Sequence, residues 1–488
     1  MKKSSLLFLF TVIFISFYGT LKVQAEVASG TEADIVIGQP NMTSSSANQG
    51  GSTAANTLAY DTNVYSSGSK LFVTDPGNSR VLIYNSIPTS DNASADVVIG
   101  QPNMTSHDEN QGIPVAANTL YEPMSMYSNG TKLFIVDKEN NRVLIFNSIP
   151  TSNNASADVV IGQPNMVSNS YNQGGAAGVN TLAAPQGVCS DGTKLFIADW
   201  NNSRVLIYNS IPTSDNASAD VVIGQPNMTS RDENQGGPVA ANTLSGPTGV
   251  YFKNSKLFIV DQANHRILIY NSIPTSNNAS ADVVVGQPNM ASSDQNQGGS
   301  VAANTLNYPI NVYSDGTKLF ITDSSNNRVL IYNSIPTSNN ASADEVIGQA
   351  NFISNGENQG LSHAYSSTLK GPGGISTDNS YLYVSDFGNN RILMFPYTPS
   401  DNIEGSGKHH HHHSNKYHSY DTPLNKKRYH SVKSIRMIDP EKYYAMKVIY
   451  QKYKYAGERA LVGLDYNTLE TFRTYRGFIY YELFLSHQ

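Results

Sequence analysis

The chain has 488 residues, of which only 14% are charged, and it contains 37 Gly, 22 Pro, one Cys and one Trp, with a net charge of −6. A single cysteine excludes an intrachain disulfide framework. Sparse charge and plentiful Gly, Asn, Ser and Thr between short Val/Ile/Leu runs exclude a helical bundle and point to an all-β, loop-rich chain.

In chain order, residues 1–25 read as a secretory signal. Lys2 and Lys3 form a positive start, Leu6 to Tyr18 is an almost unbroken apolar run, and Val23-Gln24-Ala25 offers a cleavage site before Glu26. The run is shorter than the roughly 20 residues a spanning helix needs. The expected product of the Sec pathway is a secreted or cell-envelope chain that is not integral to the membrane.

Residues 26–400 are a repeat. The Asp of Ala-Asp-Val-Val-Ile-Gly-Gln recurs at Asp34, Asp96, Asp158, Asp220, Asp282 and Asp344, 62 residues apart. The Asn of Asn-Gln-Gly recurs in step at Asn48, Asn110, Asn172, Asn234, Asn296 and Asn358. Each copy predicts four strands, as in Leu182 to Val188, Lys194 to Asp199, Arg204 to Asn209 and Ala219 to Gln225, with Asp191-Gly192 as a hairpin turn. Four antiparallel strands per repeat make one propeller blade. The chain opens on a fourth-type strand, Ala33 to Gln39, and its last copy stops after a third, Arg391 to Phe395. The N-terminal strand is therefore expected to complete a sixth, final blade and close the ring, leaving no open edge.

The Lys-Leu-Phe-Ile and Asp-x-x-Asn-x-Arg-Val-Leu-Ile-Tyr segments resemble the NHL repeat over residues 33–396. Gly-Gln-Pro-Asn and Asn-Ser-Ile-Pro-Thr-Ser are similar to segments of exported bacterial NHL-repeat proteins of unassigned function. The resemblance implies a propeller fold; the six copies make it an all-β six-bladed propeller, expected to be a monomer. It implies no single activity, because such propellers serve as protein-binding, RNA-binding and catalytic scaffolds.

Candidate chemistry is thin. Six Asp/Arg pairs, such as Asp75 with Arg80 and Asp199 with Arg204, repeat too uniformly to form one catalytic constellation and read as blade-internal charge pairs. Asp-Gly-Thr-Lys turns and Asp-x-x-Asn loops supply oxygens suited to Ca²⁺ but match no dedicated calcium loop, and no other cofactor is expected. His107, His265 and His363 are the propeller's histidines; converging on the axis, they would hold a metal for a lactonase- or lyase-type reaction, which is the alternative reading. Cys189 stands where other copies carry Tyr65, Tyr127, Tyr251 and Tyr313, and reads as a small buried thiol.

Variation between copies is the stronger clue. The third-to-fourth connection, Asn-Ser-Ile-Pro-Thr-Ser-Asn-Asn-Ala-Ser-Ala-Asp, is nearly copied out each time. The second-to-third connection and the entry to the first strand differ from copy to copy, and in an up-down blade both lie at one end. That individual face is the expected binding surface, with Trp200, Lys138, Glu139, Gln262, Phe387, Met124 and Gln186 as the candidate residues. Long fourth-to-first connections such as Pro102 to Leu120 would crown it. The expected partner is an extracellular or envelope protein or polysaccharide. Nucleic acid is not expected, because residues 1–407 hold 18 Lys+Arg against 31 Asp+Glu.

After the repeat come a Gly/Ser/His linker, residues 401–414, and a basic, Tyr-rich extension, residues 415–488. His409 to His413 read either as a cloning tag or as a metal-sequestering tract.

Overall fold

The computed structural model describes residues 30–378 and 380–398. The expected signal segment, linker and extension lie outside the described residues. Among those described, twenty-four strands form six four-stranded antiparallel sheets. Blade 1 comprises Val64–Ser67, Lys70–Asp75, Arg80–Tyr84 and Val97–Ile99. Blades 2 to 5 repeat this order over residues 123–161, 187–223, 247–285 and 309–347. The first strands touch one another around the axis and the fourth strands lie at the outside. The core sits between adjacent blades, where the Val, Ile, Leu and Phe side chains of neighbouring sheets meet.

The ring closes as the strand count requires. Blade 6 takes Pro372–Thr377, Tyr381–Asp386 and Arg391–Pro396 from the end of the repeat and Ile35–Ile37 from its beginning. Ile35 pairs with Met394, Val36 with Leu393 and Ile37 with Ile392. Gln39 Nε2 then donates to the Asn390 carbonyl at 2.9 Å.

The Asp/Arg pairs are blade-internal, and they do more than pair. Arg204 is fully buried; its Nε donates to Asp199 at 2.8 Å. Its terminal nitrogens donate to the carbonyls of Gly178 and Thr181 ahead of blade 3, and of Met228 after it. Each such guanidinium therefore ties the incoming fourth-to-first connection to the outgoing one. Asp199 also receives the Asn202 amide at 2.7 Å and the Ala183 N–H at 2.7 Å, so the charge is satisfied on every side. Asn202 in turn pairs reciprocally with Asn172 of the connection. The long connections are thus strapped to the scaffold by buried polar groups and are not free crowning loops.

The copied third-to-fourth connection has a structural reason to be copied. It runs along the outer edge of the preceding blade. Asn153 Oδ1 accepts the Val98 N–H at 3.0 Å and the Asn154 N–H donates to the Val98 carbonyl at 3.0 Å. Asn154 Oδ1 also receives Gln111 and Asn118. Each copy thereby covers the exposed edge of its neighbour's outer strand.

The expected boundaries of two strand types are wrong: the fourth strands are three residues long, Ile35–Ile37 and Val221–Ile223, not Ala33 to Gln39 and Ala219 to Gln225. Blade 3's first strand spans Gly187–Ser190, not Leu182 to Val188. The residue ahead of the Pro turns left-handed, at φ 45° in Ala184 and φ 47° in Tyr308, and interrupts the ladder. Leu182 instead wedges against Gly162, where a Cβ would come within 2.6 Å of its side chain.

Candidate functional site

The second and third strands of a blade are joined by a tight turn opening on one residue that differs in each copy. In blades 3, 4 and 6 the turns are Trp200–Asn202, Gln262–Asn264 and Phe387–Asn389. The closing Asn is spent on the Asp behind it, so the opening residue is left to face outward. The entry to the first strand supplies the other variable residue, next to the Pro. These two sets meet on the axis in a funnel of about 260 Å³. Trp200, Gln262, Phe387, Met124 and Gln186 all line it. Lys138 and Glu139 do not: Lys138 is held between Glu122 at 2.9 Å and Glu139 at 2.8 Å, beside the funnel.

The lining contains no Lys, Arg, His, Asp, Glu or Cys. Its polar groups are carboxamides and hydroxyls, and several are unspent. The Trp200 Nε1, the carboxamides of Gln186 and Gln262 and the hydroxyl of Ser324 make no hydrogen bond within the described residues. In the body of the propeller the buried Arg guanidiniums and the Asn of each Asp-x-x-Asn turn are engaged, while the Tyr84, Tyr208, Tyr270 and Tyr332 hydroxyls and one oxygen of Gln225 also lack a partner.

The floor was missed in the sequence. Tyr65 and Tyr127 pack with ring centroids 5.1 Å apart, and Tyr251 and Tyr313 do so at 4.8 Å. Burial, reinforced by the neighbouring phenols, pushes Tyr65 and Tyr251 well above the usual tyrosine range, and burial with the nearby Cys189 pushes Tyr127 up to about 12. The phenols are therefore neutral donors and acceptors, not acids or bases. In blades 3 and 6 the same position is Cys189 and Ser376, both buried. Burial raises the Cys189 thiol, which removes it as a nucleophile.

This arrangement has half-turn symmetry. Opposite blades match: Tyr65 with Tyr251, Tyr127 with Tyr313, Cys189 with Ser376, Trp200 with Phe387. Even the hydrogen bonds repeat, with Thr62 Oγ1 donating to the Met124 carbonyl at 2.8 Å and Thr248 Oγ1 to that of Ile310 at 2.9 Å. The signal was in the sequence as identities three repeats apart, Tyr65 with Tyr251, Tyr127 with Tyr313 and Thr62 with Thr248, and as like residues, Trp200 with Phe387. Comparison of adjacent copies alone does not find it.

The other candidates separate. His107 and His363 are exposed, His265 is buried, and none lines the funnel. His265 Nδ1 accepts the Tyr308 N–H at 3.0 Å, the task that Asn141 and Asn327 perform in other blades. Among the described residues no three His, Cys, Asp or Glu side chains are grouped to hold a metal. The Asp-x-x-Asn oxygens are consumed by the bonds described above. The Asp of Asp-Gly-Thr-Lys caps its own turn, Asp191 Oδ1 accepting the Thr193 and Lys194 N–H groups at 2.7 and 2.6 Å.

No family model matches the chain, and no curated protein does. Solved structures do. The chain is similar to virginiamycin B lyase from Staphylococcus aureus at 11% identity, with 70% of this chain and 97% of that chain covered and a TM-score of 0.36. A streptogramin B lyase aligns at 11% identity over 72% of this chain and 95% of that one, TM-score 0.38. A chain from a nidogen/laminin complex aligns at 15% identity over 59% and 83%, TM-score 0.32. Likeness at this level carries no inference about chemistry.

Proposed function

We propose that this chain is an exported interaction scaffold of the NHL-repeat kind, which holds a protein or glycan partner outside the membrane on its funnel face. The observation that carries this reading is the convergence of five individual residues, from four blades, on one axial funnel with unspent hydrogen-bonding groups. Rigid straps on the connections pre-organise that face and lower the ordering cost of association. The lining offers hydroxyls and phenols but no imidazole, carboxylate, amine or thiol to activate them or to hold a metal, which favours binding as the reading. The test is site-specific photo-crosslinking. A photoreactive residue at position 262 should capture a discrete partner from envelope or culture fractions. One at position 213, on the exposed copied connection, should not. Equal capture at both positions would refute the assignment of the face.

A further inference from the structure

Resting on that reading of the face, we infer that the funnel is a slot for an uncharged saccharide segment, seated between Trp200 and Phe387. Four observations converge on this chemistry. No charged side chain lines the funnel, so an anionic ligand finds no cation and a cationic ligand no carboxylate. An anion would also approach a body in which residues 1–407 hold 18 Lys+Arg against 31 Asp+Glu.

The unspent groups are of mixed donor and acceptor character. The carboxamides of Gln186 and Gln262 each offer both, as does the Ser324 hydroxyl, while the Trp200 Nε1 donates. A wholly apolar ligand would strip water from these groups and return no hydrogen bond for any of them. A ring bearing hydroxyls all round satisfies them.

Aromatic surfaces stand on opposite sides of the axis, because blades 3 and 6 oppose each other. Trp200 comes from one and Phe387 from the other, and Tyr60 packs beside Phe387 with centroids 5.7 Å apart. The C–H faces of a pyranose stack on such rings while its hydroxyls reach the polar groups between them. The half turn relates the aromatic pair and the phenol floor, while the polar groups are one-sided, Gln186 and Gln262 standing opposite Gly373 and Pro76, so the slot has two aromatic ends and distinct polar walls. Its volume of about 260 Å³ is just below the roughly 300–1,000 Å³ of small-molecule pockets, so a short segment fills it and a longer chain continues out across the face. With no carboxylate in the lining, the pair needed for glycoside hydrolysis is missing, and the saccharide is held, not cut.

Trp200 is the only tryptophan in the chain, so its emission reports occupancy directly. The full chain is titrated with neutral gluco-, manno- and galacto-configured oligosaccharides, with a uronic-acid oligosaccharide and with an uncharged peptide. At least one neutral saccharide should give a saturable change in emission, with the uronic-acid ligand weaker by about tenfold or more. Gln186→Ala and Gln262→Ala should each weaken the response several-fold at unchanged melting temperature, and Thr213→Ala should leave it intact. No saturable response to any neutral saccharide at about 10 mM, an equal response to the uronic-acid ligand, or a response to the peptide alone would overturn the inference. If the saccharides fail while crosslinking at position 262 still captures a protein, the ligand class is wrong and the face is right. If both fail, the face itself is wrong.

Discussion

The indole of Trp200, from the turn of blade 3, lies against the backbone of Gly246 at the entry to blade 4. A Cβ on Gly246 would stand 2.8 Å from Trp200 Nε1, and Gly246 has φ +54°. Ala184 and Tyr308 make the same left-handed turn in other blades, so what the glycine adds is the space that seats the aromatic residue over the funnel. Gly246→Ala should cost about 1 kcal/mol in stability from the backbone alone and push the indole off its seat. Near-ultraviolet circular dichroism and Trp200 emission check this: both should change in the folded protein, whereas Gly192→Ala, with open space around it, should leave them unaltered.

Arg204 illustrates the strap. Replacing it with Met leaves the Asp199 carboxylate, which is fully buried, without its cation, and should cost about 3–5 kcal/mol. Asp199→Asn added to Arg204→Met should recover part of that loss, because the stranded charge is gone. Chemical denaturation of the single and double variants measures both. A loss under about 1 kcal/mol for Arg204→Met would mean that the guanidinium contributes little.

Closure rests on a short strand, Ile35–Ile37, and on Gln39 behind it. Removing residues 26–40 exposes the edge of Arg391–Pro396 and uncovers core shared with the first blade. A melting temperature lower by at least several degrees is expected, read by calorimetry. An unchanged transition would contradict closure by this strand.

Asp61 occupies the position that is Pro in every other blade. It is fully buried with no cation at hand, and its Oδ1 has no partner. Ser385 Oγ is 2.7 Å from the Asp61 carbonyl and 2.9 Å from its Oδ2. One hydroxyl hydrogen cannot serve both. A protonated carboxyl donating to Ser385, which donates to the carbonyl, makes both bonds. Burial raises this carboxyl well above the ordinary aspartate value of 3.8, and Asp386 and Asp75 add to the effect. With the folded pKa above the unfolded one, its contribution is present at pH below about 3.8 and is lost as pH rises through the folded value. Asp61→Asn should therefore raise the melting temperature at pH 7, and the gain should shrink toward pH 4. A gain independent of pH would show that ionisation is not the cause.

Much of the fold was legible in the sequence, because a repeat turns local patterns into architecture. The 62-residue period, the strand types, the closing strand and the charge pairs all follow from residues that recur in fixed phase. The start of the first strand was not legible, since Leu182 has strand chemistry and only the left-handed turn at Ala184 removes it from the ladder. The site was half legible. Variation between copies pointed to Trp200, Gln262 and Phe387 but equally to Lys138 and Glu139, which pair with each other beside the funnel. The phenol floor was hidden because four recurring tyrosines look like ordinary strand residues until the ring brings them to one axis. Asp61 was visible as a departure from Pro, but its burial and its single hydroxyl partner depend on blade 6, more than 300 positions away.

The central claim, that the funnel face is where this scaffold engages its partner, is tested most directly by affinity capture from envelope and culture fractions. Wild type, Trp200→Ala and Thr213→Ala are compared at matched melting temperature. A partner should be retained by wild type and Thr213→Ala and lost with Trp200→Ala, at a cost of at least about 2 kcal/mol in affinity. A partner kept by Trp200→Ala and lost with Thr213→Ala would place the interaction on the copied connections and contradict it.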